Sequence, residues 1–311
     1  MTTEQELARV TPDRDTLLTI GVFDGVHLGH RQLLNELIKE AGQSNLLSGV
    51  VTFRQHPQAV LSPQTRLPFL TDLAEREHRL KEAGTNIVVA LSFTQELARL
   101  SAPSFLGLLK KYLRMRGLVI GYDFALGLDR QGNIEKLHLL GQEMGFSVRA
   151  IAPVTIDGEV ASSTAIRQAL SQGDMARVSR LLGHSFSLRG RVVPGASRGK
   201  ELGYPTANLM VDPEQALPAN GVYASLAHLG GKSYPSMTYI GHRPTFDEAQ
   251  QVVENYLLDF TGNLYNKEMV IDIRDYLRGD QHFESAEALK NQITADVARG
   301  RKLLENTGKE R

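Results

Sequence analysis

His27 and His30, three residues apart, sit in the stretch Leu18-Thr-Ile-Gly21-Val-Phe23-Asp24-Gly25-Val-His27-Leu-Gly29-His30. In a first helical turn, that spacing projects both imidazoles the same way. They would face whatever anion gathers at the helix N-terminus, where free backbone N–H groups and the helix dipole point outward. The apolar run before them reads as a buried strand and Gly21 to Gly29 as a tight turn. Leu33, Leu34, Leu37 and Ile38 then form one helix face that stops at Gly42. Gly21, Phe23, Asp24, Gly25 and Gly29 would line the anion pocket with the histidines. The plain alternative is an ordinary strand-to-helix loop with two surface histidines; His-x-Gly-His inside such a loop favours the functional reading.

Four further groups could do chemistry. Gly121-Tyr-Asp123-Phe124 follows an apolar run, so Asp123 would stand at a strand's C-terminal end, where it could hold a ribose, a base edge or a metal; a loop-capping aspartate fits equally well. Ser162-Ser163-Thr164-Ala-Ile-Arg167 puts hydroxyls, free N–H groups and a guanidinium at a helix start, a set suited to phosphate oxygens. Taken alone it is more simply a Ser/Thr cap; beside the histidine loop the phosphate reading gains. Pro205 fixes a turn between Gly203 and Asn208, presenting the Thr206 hydroxyl and the Asn208 carboxamide as oxygen ligands of the kind Mg²⁺ accepts. A Pro-Thr turn with an Asx-type cap explains that stretch as well. Glu254, in Val-Val-Glu-Asn-Tyr-Leu-Leu, is a carboxylate among apolar neighbours, either surface-facing or functional.

Short apolar strands are expected over 46–53, 86–91, 118–121 and 146–151. Between them lie amphipathic helices, one capped at Thr71 or Asp72 and one opening at Ser101-Ala-Pro103. That alternation predicts an α/β unit around a parallel sheet, with ligands at the strands' C-terminal ends. After Leu182-Gly183 the pattern becomes strand and turn. Met269, Ile271 and Ile273 alternate with Val270, Asp272 and Arg274, the period of a half-solvated strand. A small antiparallel barrel or sandwich follows, closed by a helix capped by Ser285. The expected domains are 1–183 and 184–311.

Composition narrows the function classes. The chain has 311 residues with 35 Lys+Arg against 35 Asp+Glu, so no global positive field draws it to nucleic acid or membrane. Zero cysteines exclude disulfides, cysteine–zinc sites and a thiol nucleophile. No run approaches the ~20 apolar residues of a membrane span, and the acidic N-terminus lacks signal-peptide order. A cytoplasmic protein is expected.

The first, second and third motifs, in that order and spacing, resemble the bacterial FAD synthetase (FMN adenylyltransferase) module, a Rossmann-like nucleotidyltransferase with an HxGH loop. Gly190-Arg-Val-Val-Pro-Gly195, Gly203-Tyr-Pro205-Thr206-Ala-Asn208, Gly241-His-Arg243-Pro-Thr-Phe246 and Glu254-Asn-Tyr-Leu-Leu-Asp-Phe260 are similar to riboflavin kinase. Together they resemble the bifunctional riboflavin kinase/FAD synthetases over roughly 15–305. The resemblance implies a transferase making FMN and then FAD from riboflavin and ATP with Mg²⁺. It implies that Glu254 is the kinase base and that Thr206 and Asn208 hold the metal. Gly195, Gly203, Pro205 and Arg243 would serve the kinase nucleotide or flavin. His27, His30 and Arg167 would act in adenylyl transfer, with Gly121, Asp123, Ser163 and Thr164 on the second ATP. Self-association would be weak at most. This chain departs from the family at Ala125, Ala165 and Arg54-Gln55, and in the kinase half at Tyr239, His242 and Asn266. The alternative reading is a riboflavin kinase whose N-terminal half is a weakened or altered nucleotidyltransferase or a flavin- or nucleotide-binding module.

Overall fold

The computed structural model describes residues 1–62, 64, 67–127, 132–195, 199, 202–243 and 250–307. By density of contacts they divide into two units, 1–69 with 73–162, and 70–72 with 163–311.

In the first unit the order is α1 (Thr3–Leu7), β1 (Thr16–Ile20), α2 (Leu28–Gln43), β2 (Leu47–Phe53), α3 (Pro57–Leu61), α4 (Leu73–Glu82), β3 (Ile87–Leu91), α5 (Gln95–Ala98), α6 (Ala102–Leu113), β4 (Met115–Gly121), α7 (Ile134–Met144) and β5 (Ser147–Ile151), then a short ribbon of β6 (Thr155–Ile156) and β7 (Glu159–Val160). The five long strands form one parallel sheet in the order β3-β2-β1-β4-β5. β1 and β2 are buried along their whole length, as expected of strands covered on both faces. Leu33, Leu34, Leu37 and Ala41 turn the buried face of α2 onto Leu17, Val50 and Val119; Leu18, Val51, Leu118 and Ile120 pack with α6. Gly42 falls inside α2, which runs on to Gln43. The sheet grows outward in opposite senses from β1 and β4, so a crevice opens where their C-terminal ends meet.

In the second unit, α8 (Ser163–Ser171) and α9 (Met175–Leu182) precede β8 (Phe186–Val193), β9 (Ala207–Val211), β10 (Gly221–Leu229), β11 (Lys232–Arg243), β12 (Gln250–Leu257), β13 (Glu268–Arg278) and α10 (Ala286–Thr307). The six strands close into a barrel, β10-β11-β12-β9-β8-β13. Of the two shapes expected from sequence, barrel or sandwich, the barrel is the one formed. β13 makes the closure, pairing with both β8 and β10. Met269, Ile271 and Ile273 are buried and their alternates half-buried, filling the interior of a small barrel with side chains. Four buried polar residues share that interior. Ser225 Oγ meets Ser236 Oγ at 2.8 Å and Thr238 Oγ1 at 2.7 Å, and Asn255 Nδ2 donates to Thr238 Oγ1 at 2.8 Å. The hydroxyls of Ser225, Ser236 and Thr238 and the Asn255 amide N–H therefore find partners out of water, whereas Asn255 Oδ1 has none among the described residues. α10, capped by Ser285 Oγ, covers the outer face through Val297, Leu303 and Leu304 against Ala224, Met237, Leu258 and Leu277.

Candidate active sites

In the first unit the loop leaving β1 folds tightly. Phe23 (φ 53°), Gly25 (φ 81°) and Val26 (φ 39°) all lie in the left-handed region. For a β-branched residue such as Val26 this is a strained conformation, costing on the order of 1–3 kcal/mol and held by surrounding structure. Its side chain and that of Phe23 are buried, and Asp24 and Gly25 with them. His27 ends the turn and caps α2: its Nδ1 accepts from the His30 N–H at 3.3 Å. An accepting Nδ1 leaves the proton of neutral His27 on Nε2. The His30 ring stacks on that of His27, centroids 3.6 Å apart and 21° from parallel, and meets Phe23 in an edge-type contact with centroids 5.1 Å apart. The two imidazoles therefore share one direction, as their spacing suggests. Burial, then the neighbouring His27 and Arg76, push the His30 pKa well below its ordinary value. His30 is thus a neutral hydrogen-bonding group at physiological pH.

Gly29 is needed where it is. A Cβ there would stand 2.9 Å from Ala161 O and 3.1 Å from the His27 ring. The chain approaching Ser162 accordingly passes against the histidine loop. Asp123 is exposed just beyond β4, after a turn in which Phe124 N–H donates to Gly121 O at 3.1 Å. Ser163, Thr164 and Arg167 occupy the first turns of α8, in the second unit.

In the second unit three strands line up Glu254, Asn208 and their neighbours. Glu254 on β12 lies directly opposite Asn208 on β9 and opposite Tyr239 on β11. Side chains paired this way share a face. Thr206, just before β9, donates from Oγ1 to Glu254 Oε2 at 3.1 Å. Thr206, Asn208 and Glu254 are all half-buried. Tyr204 holds the turn in place: its N–H donates to Gly199 O at 2.7 Å, its ring meets Tyr256 edge-on, and its hydroxyl pairs with Thr294 of α10 at 2.7 Å. Gly203 takes φ 89° and Pro205 is exposed. Gly195 lies so close to Asn208 that a Cβ would sit 2.0 Å from its Nδ2.

Two groups here were not assigned a role from sequence. Tyr239 lays its phenol over Gly241, where a Cβ would lie 2.1 Å from the hydroxyl. Burial, a hydrogen bond to Asp280 and the carboxylates of Asp280 and Glu254 raise its pKa to about 12, so it remains a neutral donor. Asp280 sits just after β13, in a stretch with no recognisable pattern. Arg76 of α4, at 0% exposure, is the other. With Leu80 it makes up the helix's buried face, and that i, i+4 position on an apolar face was its only sequence signal. Arg243 ends β11, but its side chain lies outside the described residues, as do Arg198, Lys200 and residues 244–249 of the two glycine-flanked motifs.

Comparison with known proteins covers nearly the whole chain. A family model described as FAD synthetase matches residues 10–165, and one described as riboflavin kinase matches 182–304. A protein of Escherichia coli (strain K12) named bifunctional riboflavin kinase/FMN adenylyltransferase is 38% identical over 295 residues, covering 94% of each chain. A protein of the same name from Pseudomonas fluorescens is 38% identical over 292 residues, 93% of each. Among solved structures, one from Streptococcus pneumoniae described as a macrolide-efflux protein superposes with a TM-score of 0.87 at 31% identity, covering 95% of this chain and 96% of that one. Among the described residues here, no helix is long and apolar enough to cross a membrane.

Proposed function

We propose residue roles for two successive reactions on one premise: the chain belongs to the family of bifunctional riboflavin kinase/FMN adenylyltransferases, phosphorylating riboflavin to FMN and adenylylating FMN to FAD. The observation that carries the kinase assignment is the hydrogen bond from Thr206 to Glu254, with Asn208 across the strand pair.

In the kinase half, Glu254 accepts the proton of the riboflavin 5′-hydroxyl as that oxygen attacks the γ-phosphorus of ATP and ADP departs. A hydroxyl has one proton and two lone pairs. Thr206 gives its proton to Glu254 and keeps both lone pairs for a cation, and the Asn208 carboxamide adds a second neutral oxygen. This donor set fits Mg²⁺, which takes a few protein oxygens and fills its shell with phosphate and water. When bound, Mg²⁺ neutralises charge on the transferring phosphate. Pro205 fixes the turn that presents both ligands, and Gly195 and Gly203 are assigned to the nucleotide by motif position. Arg243 is assigned to nucleotide or flavin by its motif position alone.

In the adenylyltransferase half, an FMN phosphate oxygen attacks the α-phosphorus of a second ATP and pyrophosphate leaves. The nucleophile arrives ionised, so the protein's work is to stabilise charge building at the α-phosphate. His27, with its proton on Nε2, and neutral His30 donate to it beside the N-terminus of α2. The turn of Gly21, Phe23, Asp24 and Gly25, with Gly29 behind it, fixes both rings. By motif position alone, Ser163, Thr164 and Arg167 are assigned to the departing β,γ-phosphates; Asp123, beyond Gly121, takes the nucleotide or its metal. We place the junction of the two modules at 183/184 and the reactions in the cytoplasm, with any self-association weak.

The test is incubation with riboflavin, ATP and Mg²⁺, with products separated by chromatography. Glu254→Ala is expected to abolish FMN formation while ATP still binds. His30→Ala should lower FAD formation at least ~10²-fold, the loss typical of removing one such donor, with FMN formation intact. Equal loss of both activities in His30→Ala, or failure of Glu254→Ala to make FAD from supplied FMN, would refute two separate sites. FMN as the sole product of the unaltered chain would favour the altered-nucleotidyltransferase reading.

A further inference from the structure

The histidine loop rests on a residue outside every motif. Arg76 donates from Nη1 to Val22 O at 2.9 Å and from Nη2 to Phe53 O at 2.9 Å. Val22 follows β1 and Phe53 ends β2, so one planar fork ties together the C-terminal ends of two paired strands. Thr52 Oγ1 donates to the same Val22 oxygen at 2.9 Å. The guanidinium also lies over the Phe69 ring, 4.7 Å from its centroid. The residue after Val22 is Phe23, whose ring makes the edge-type contact with His30. Fixing Val22 therefore fixes the surface on which the histidine pair is stacked.

Charge points the same way. Burying a guanidinium is costly, and an apolar side chain of similar volume would fill such a position at less expense. His30 Nδ1 is buried with no hydrogen-bond partner among the described residues. Protonating the ring would then leave a buried N–H with no acceptor. The ionisable groups acting on His30 are His27, from the cap of its own helix, and Arg76, from α4; Asp24 is buried in the turn just before them.

We propose that Arg76 is a positioning residue for the adenylyl transfer assigned above: it clamps Val22 and Phe53 so that the histidine pair holds one geometry, and it keeps a fixed positive charge beside His30. The inference rests on that assignment of the site. Arg76 acts through its neighbours and not by touching the reacting atoms.

The test uses the full chain with Arg76→Met and Arg76→Lys, and His30→Ala alongside. FMN formation from riboflavin reports on the integrity of each variant. FAD formation from supplied FMN is followed across pH, and the His30 imidazole is titrated by NMR. For Arg76→Met, the expected results are a roughly 10-fold or larger fall in kcat for FAD and unchanged FMN formation. His30 should also titrate higher than in the unaltered chain, because a repelling charge has gone. Arg76→Lys should keep the His30 titration of the unaltered chain. It should recover only part of kcat, since an ammonium cannot reproduce the two-pronged fork. A Met variant with unchanged kcat and titration overturns the inference, as does parallel loss of FMN and FAD formation. Should the Met variant fail to fold, an Arg76→Lys variant with full kcat overturns it. His30→Ala retaining FAD formation would instead remove the site assignment itself.

Discussion

Replacing Gly195 by alanine should separate stability from catalysis in the kinase half. The added Cβ would lie 2.0, 2.4 and 2.7 Å from Nδ2, Cγ and Oδ1 of Asn208. Ordinary carbon contacts are about 3.5–4.0 Å, so the carboxamide must retreat by roughly 1.5 Å. The obstacle is the end of a side chain, not backbone, and an asparagine swings aside for about 0.5–1.5 kcal/mol. That would lower Tm by only about 1–6 °C in a unit of this size. The reaction is less forgiving, because a displacement of about 1 Å at a positioned group can cost ~10²-fold in rate. Gly195→Ala is therefore expected to fold, to make FAD from supplied FMN at the normal rate, and to form FMN about 10²-fold more slowly with a raised Mg²⁺ requirement. The assays are calorimetry for Tm and chromatographic initial rates for the two half-reactions with Mg²⁺ varied. FMN formation within about threefold of the unaltered chain would refute the reasoning, because it would mean that the position of Asn208 seen here is not the one the reaction uses.

Thr206→Val keeps shape but removes the donor to Glu254 and a cation ligand. A hydrogen bond to a charged group is worth about 1.5–3 kcal/mol, so FMN formation should fall by roughly 10- to 100-fold; normal kinetics would detach Thr206 from the mechanism. His30 binds its proton more weakly folded than unfolded, so its contribution to stability is complete above about pH 6.5 and is lost as pH falls below that. Urea titrations at pH 7.5 and 5.5 should show this acid loss in the first unit, and His30→Asn should lessen it. Gly107 lies inside α6, and a Cβ added there would meet nothing within 4 Å. Gly107→Ala should stabilise that helix by up to about 1 kcal/mol with both activities unchanged, and a lowered Tm would count against that open space.

Local pattern made much of this protein legible. The strand, turn and helix around His27 could be read because glycine turns and helical periodicity act within a dozen residues. The alternation in Met269–Arg274 was readable for the same reason, and so was the cap at Ser285. Motif spacing distinguished an N-terminal from a C-terminal set, and the two family models match residues 10–165 and 182–304. Even so, local readings left open whether Glu254 faced solvent or a site, and whether Pro205 to Asn208 was more than a capped turn. Those questions turn on strand register, which depends on partners dozens of residues away. The pairing of β12 with β9 puts Glu254 opposite Asn208, and its pairing with β11 adds Tyr239 and, through it, Asp280. Arg76 is the other case. In sequence it is one charge on an amphipathic helix; buried beneath β1 and β2 it becomes the fork that holds Val22 and Phe53. The sequence by itself determined which chemical groups are present and the local elements that carry them. Which groups meet was decided by the tertiary structure, because register and burial are properties of the whole sheet and barrel.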